Sequence, residues 1–271
     1  MLKRKTLRKY TEKRFELMQK HLCKYTDKNT QEDLHQFRVE TKKLKAFIGL
    51  VQYINADEKI HKEFKPIGKL FDHAGKIRSA HIELLLIKRY RLKNPAYSKA
   101  LQDIIRSESA RLKKKKEHYL NALKESSKKI DEHITKLGRT ELTEYTHQQL
   151  KMLSKYFAAP QNIAGIHKSR ILLKKLFYNY SLFDSETQKK LNLDIKYLNT
   201  LQEKIGNWHD MTVTIESLSS NMHVQKSMIG KLRIQERKLL AVVKSDVKDF
   251  SKKVNMPLKN HGGKHVHSKT K

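Results

Sequence analysis

Apolar residues along this chain return at steps of three and four. Phe37, Leu44, Ile48 and Val51 cluster on one face of a helix turning about 100° per residue, and similar spacing recurs almost everywhere, in place of strict alternation. The pattern predicts an all-α protein. Gly and Pro, 9 and 4 in number, interrupt it sparingly. Breaks are expected at DKNT (27–30), NAD (55–57), NP (94–95), LGRT (137–140), AAPQN (158–162), FDSE (183–186) and SSN (219–221), dividing the chain into about eight helices. From Lys252 the periodicity fades, and 251–271 is expected to be a disordered basic tail whose His261, His265 and His267 are solvated.

The polar positions repeat as well. LHQFRVETKKLKAF at 34–47 is echoed by IHKSRILLKKLFYN at 166–179, so that His35, Arg38, Lys42, Lys43 and Leu44 return as His167, Arg170, Lys174, Lys175 and Leu176. Downstream, LFDHAGKIRSAHI (70–82) runs parallel to LQEKIGNWHDMTV (201–213), placing Gly75 over Gly206 and Ile82 over Val213. Two related four-helix halves are expected, 1–135 and 136–250.

Within the first copy, His35, Arg38, Lys42 and Lys45 follow spacings of 3, 4 and 3 and form a stripe roughly 130° round the helix from the apolar face. Glu32, Asp33 and Glu40 all fall off that stripe, whereas a solvated face usually mixes signs. Lys62, Lys65, Lys69 and Lys76 make a second stripe with Asp72 as its single acid, and Pro66 is a point where that helix bends or restarts. RLKKKKEHYL (111–120) reads as a solvated face, because consecutive lysines point all round a helix.

The charge balance turns these stripes into a statement about partners. With 59 Lys plus Arg against 28 Asp plus Glu, the formal net charge is +31, and such self-repulsion is most readily tolerated when a polyanion cancels it. Nucleic acid, an anionic membrane surface and a polyphosphate all satisfy that requirement. Cys23 is the single cysteine, so an intramolecular disulfide and a multi-cysteine zinc site are excluded. The first twenty residues lack the apolar stretch of a signal peptide, and no run approaches a membrane span; a cytoplasmic location is expected.

His35, His167 and the His209-Asp210 pair raise the alternative of a metal-dependent phosphohydrolase. The neighbouring Arg38, Lys42, Arg170 and Lys174 oppose it by like charge. No phosphate-binding Gly loop, nucleophile elbow or Cys-His pairing is readable. Nonspecific RNA or DNA binding through the backbone stays open as an alternative, although no helix-turn-helix, RNA-recognition or zinc-finger signature is present.

The doubled motif resembles the signature of the CHAD domain, a histidine-containing α-helical domain that binds inorganic polyphosphate. That signature is a helix with His-x-x-Arg, then two cations, Leu and a further Arg, once per half, followed by a helix carrying Leu-Gly-x-x-Arg-Asp. The first copy ends in Lys45. The second has Phe177 where a cation is expected, then Tyr178. The Arg-Asp pair appears as Arg78-Ser79 and His209-Asp210. The resemblance spans about residues 5–250. It implies two four-helix bundles related by a pseudo-two-fold, with basic helices lining a central cleft or pore, and a polyphosphate-binding module that is neither a catalyst nor dependent on a cofactor or metal. Implied ligand contacts are His35, Arg38, Lys42, Lys43, Lys45, Arg78, His167, Arg170, Lys174, Lys175, Tyr178 and His209, with Lys62, Lys65 and Lys69 from the second stripe. Leu44 and Leu176 are expected in the core, and association with polyphosphate granules would follow from the ligand.

Overall fold

The computed structural model describes residues 1–158, 163–221 and 226–254. Among these the chain forms eleven helices and no strand: α1 (Arg4–Lys28), α2 (Gln31–Asn55), α3 (Lys59–Arg89), α4 (Pro95–Lys114), α5 (Lys116–Glu132), α6 (Arg139–Ala158), α7 (Ile163–Tyr180), α8 (Ser185–Leu191), α9 (Ile195–Asn221), α10 (Lys226–Val247) and α11 (Phe250–Lys253). The all-α expectation holds, and the helix ends explain themselves locally. Asn29 closes α1 in the left-handed region at φ 52°, its N–H donating to the Tyr25 carbonyl at 2.7 Å. Glu32 and Asp33 sit in the first turn of α2, where the helix dipole favours acids. Asn94 caps α4 by accepting from the Tyr97 N–H at 3.0 Å, ahead of Pro95.

Three expectations are corrected in detail. The helices outnumber the expected eight because Lys115, at φ −94° and ψ 10°, separates α4 from α5 inside the lysine run, and because Asn192, at φ 46°, ends the short α8. Pro66 lies inside α3 without ending it. Helix α11 and the fully buried Val254 show that packing continues past the expected boundary at 250; His261, His265 and His267 lie outside the described residues.

Apolar stripes account for the packing. On α1, Leu7, Phe15, Met18, Leu22 and Tyr25 are buried, and on α2 the predicted Phe37, Leu44, Ile48 and Val51 all are, together with Leu34. Helices α1, α2, α3 and α5 pack on one another, with α4 against α3; in the second half α6 packs on α7, α7 on α9 and α9 on α10. The two motif helices, α2 and α7, pack directly together, so one apolar core runs through both halves. Asn179, fully buried on α7, donates to the Ala46 carbonyl of α2 at 3.2 Å and to Tyr145 Oη of α6 at 3.1 Å, tying this seam with polar bonds. A smaller second core lies elsewhere: Ala80 and Ile87 of α3 and Leu101 of α4 meet Ile215 and Leu218 of α9 and Leu232 of α10. Contacts α2–α3, α2–α7 and α7–α9 join four helices in series, and the second core links the α3–α4 pair to the α9–α10 pair.

Candidate functional site

Arg38 is placed by α3. Its guanidinium lies over the Phe71 ring at 3.9 Å and donates from Nη1 to the Phe71 carbonyl at 2.6 Å. The approach is possible because residue 75 is Gly: a Cβ there would stand 2.8 Å from Arg38 Nη1. In the second half Arg170 passes Gly206, whose added Cβ would lie 4.0 Å from Arg170 Nε. In each echoed segment an arginine of the motif helix comes near a glycine of the following long helix, closely at Gly75 and only at ordinary contact range at Gly206.

Around these arginines the cations converge. Lys42 is pushed down to about 8, first by desolvation between the helices and then by Arg38, Lys174, Arg170 and Arg78, although it remains exposed to solvent. Residues from α2, α3 and α7 therefore act on one ammonium group. His35 is lowered by burial and next by Arg78; Lys174 is lowered by burial and then by Arg170. His167 and His209 stack with ring centroids 4.4 Å apart, and burial, His209 and Arg170, in that order, lower the His167 pKa. Acids at the cluster are few. Asp210 accepts from Arg170 Nη2 at 3.2 Å and lies 3.4 Å from His209 Nδ1; His209 first, then Arg170 and Lys174, keep its carboxyl below the usual range. Asp72 acts on Arg38 from α3.

Eight of the residues expected from sequence thus come together: His35, Arg38, Lys42, Arg78, His167, Arg170, Lys174 and His209. The others lie elsewhere. Lys43 donates to the buried Glu40 at 2.7 Å, and Glu40 also holds Arg14 of α1 at 2.7 Å, so Lys43 belongs to an internal ion triad. Tyr178 lies between that triad and the cluster, its hydroxyl pKa raised by burial first and by Glu40 next. Lys175 is lowered by burial and by Lys45, which places those two together. Lys45, Lys62, Lys65 and Lys69 line a separate groove between α2 and α3. Phe177, expected on the cation stripe, is partly buried against the core, which explains its apolar character.

Phe71 and Arg14 escaped the sequence reading. Phe71 carries no charge signal, and Arg14 finds Glu40 only through the tertiary contact of α1 with α2. Among the described residues no group of three His, Cys, Asp or Glu side chains is disposed to hold a metal ion, and no helix is long and apolar enough to cross a membrane.

The sequence model of the CHAD domain matches residues 9–219. A crystal structure of the CHAD domain from the plant Ricinus communis superposes with a TM-score of 0.65 at 15% identity, covering 94% of this chain and 92% of that one. No curated protein matches the chain.

Proposed function

Because this chain belongs to the CHAD domain family, we propose that it binds inorganic polyphosphate, without catalysis, at the cluster built by α2, α3, α7 and α9. The observation that carries the reading is the convergence of Arg38 and Lys42 of α2, Arg78 of α3 and Arg170 and Lys174 of α7, so that Lys42 feels all four of the other cations. Cations crowded to that degree, with Asp72 and Asp210 beside the arginines and Glu32 and Glu216 acting on His35 and His167, still outnumber their acids and are complementary to a ligand that brings several anions at fixed spacing. Arg38 and Arg170 offer forked donors to phosphate oxygens; Lys42 and Lys174 offer compact charges. The Arg38–Gly75 and Arg170–Gly206 approaches support two bundles, 1–135 and 136–250, related by a pseudo-two-fold around a basic cleft. The single cysteine fits a reducing cytoplasm, and granules are where such a ligand is concentrated.

A competition experiment tests the reading: labelled long-chain polyphosphate against RNA and duplex DNA at equal phosphate, in about 150 mM salt, where nonspecific binding weakens. Polyphosphate should win. Equal or better competition by nucleic acid overturns the assignment in favour of a backbone-binding nucleic-acid protein. In the same assay, Arg38→Ala with Lys42→Ala should weaken binding and flatten its salt dependence while helicity stays intact.

A further inference from the structure

Lys45 lies one turn beyond Lys42 on α2 and opens onto a groove of about 630 Å³ between α2 and α3. Lys62, Lys65 and Lys69 line the α3 side of that groove, with Glu58 and Asp72 as its acids. All four lysines are exposed. Nearby acids are taken by other lysines, Glu40 by Lys43 and Glu63 by Lys129, and the four groove lysines form no salt bridge among the described residues. The groove adjoins the central cluster at two points: Lys45 follows Lys42 along one helix, and Asp72 lies within the field of Arg38.

We propose that this α2–α3 groove is a second subsite that receives the continuation of a long polyphosphate chain leaving the central cluster, and so makes the protein selective for long chains over short ones. The proposal rests on the polyphosphate reading of the central site. Its physical basis is reach. Arg38 to Lys45 spans roughly 10 Å along α2, and Lys62 to Lys69 roughly another 10 Å along α3. A ligand of three phosphates finds its cations at the centre alone, whereas a long chain also displaces counterions from the groove lysines, and affinity and salt dependence grow with each phosphate neutralised. Glu58 and Asp72 leave the groove with a surplus of two positive charges, enough to guide a polyanion without trapping it.

The test compares tripolyphosphate with long-chain polyphosphate on the full chain carrying Lys62→Ala, Lys65→Ala and Lys69→Ala. A control removes the same charge at the exposed Lys114, Lys124 and Lys128. The groove variant should lose on the order of tenfold in long-chain affinity at about 150 mM salt, and the steepness of its log–log salt dependence should fall by about two, with tripolyphosphate binding unchanged. Equal loss for both ligands, equal loss in the control, or no loss for the long chain overturns the groove. Loss of RNA binding with long-chain polyphosphate unaffected assigns the groove to nucleic acid and equally overturns the proposal. Failure of the central reading has a separate signature: tripolyphosphate binding that survives Arg38→Ala with Lys42→Ala.

Discussion

Arg38 reaches Phe71 across a helix position that has no side chain, and the two motif glycines differ in how much room they leave. Gly75→Ala puts a Cβ into Arg38 Nη1, the end of a flexible side chain, so Arg38 should be displaced while the helix gains roughly 0.5–1 kcal/mol of propensity. Weaker polyphosphate binding with equal or higher thermal stability is the expected result. Gly206→Ala meets only ordinary contacts and should leave binding nearly unchanged; equal losses at both positions in a binding titration would refute the difference. Lys42 gives a pH dependence of known sign. Desolvation and the neighbouring cations push its pKa down to about 8, and bound phosphates raise it toward the ordinary lysine value of about 10.4, so binding takes up a proton between those limits. Affinity should fall as pH rises from about 8 to about 10, and Lys42→Met should flatten that decline. Isothermal titration in two buffers of different ionisation enthalpy measures the proton uptake directly. At this scale the repeat made Arg38, Lys42, Arg170 and Lys174 legible in the sequence. Lys43 looked identical to them, because the burial of Glu40 that claims it is a tertiary fact.

Between elements, the contact of α2 with α7 brings the two cation stripes together, and Asn179 is its buried polar link. Asn179→Ala leaves the Tyr145 hydroxyl and the Ala46 carbonyl without their donor, and should cost about 1–3 kcal/mol in denaturant unfolding. Binding should weaken in the same variant, since Lys174 of α7 acts electrostatically on Lys42 of α2 across this seam. An unchanged midpoint would show that the seam is held by its apolar contacts alone. Helix boundaries were readable where turn chemistry is distinctive, as at Asn29 and at Asn94-Pro95. The break at Lys115 was not, because lysine favours helix and the surrounding residues carry no stop signal.

Over the whole molecule, the net charge of +31 includes a cluster to which α2 and α3 on one side and α7 on the other both contribute. A polyanion that binds there relieves repulsion between the halves as well as gaining contacts. Polyphosphate at about 100 times its dissociation constant should stabilise the fold by about 2.7 kcal/mol through mass action, read as a rise in melting temperature. Sodium chloride of equal ionic strength should give a smaller rise. The all-α class and the doubled motif were visible in the sequence because both are periodic. The second apolar core was not: Leu218 and Leu232 obey helix spacing, but nothing in that spacing says that α3 and α4 supply their partners.

That second core also sets a clock. A polymer held among α2, α3, α7 and α9 leaves end-first or while the α3–α4 and α9–α10 pairs part, so its residence time should grow with its length. The six buried residues of that contact form a far smaller core than the one behind α2 and α7, and opening there is the easier route. Leu218→Ala removes a fully buried side chain from that contact and should shorten the lifetime of long-chain complexes several-fold, while tripolyphosphate, too short to be threaded past that contact, dissociates at an unchanged rate. Stopped-flow displacement with excess unlabelled ligand measures both, and equal acceleration for the two ligands would show that this contact does not govern release.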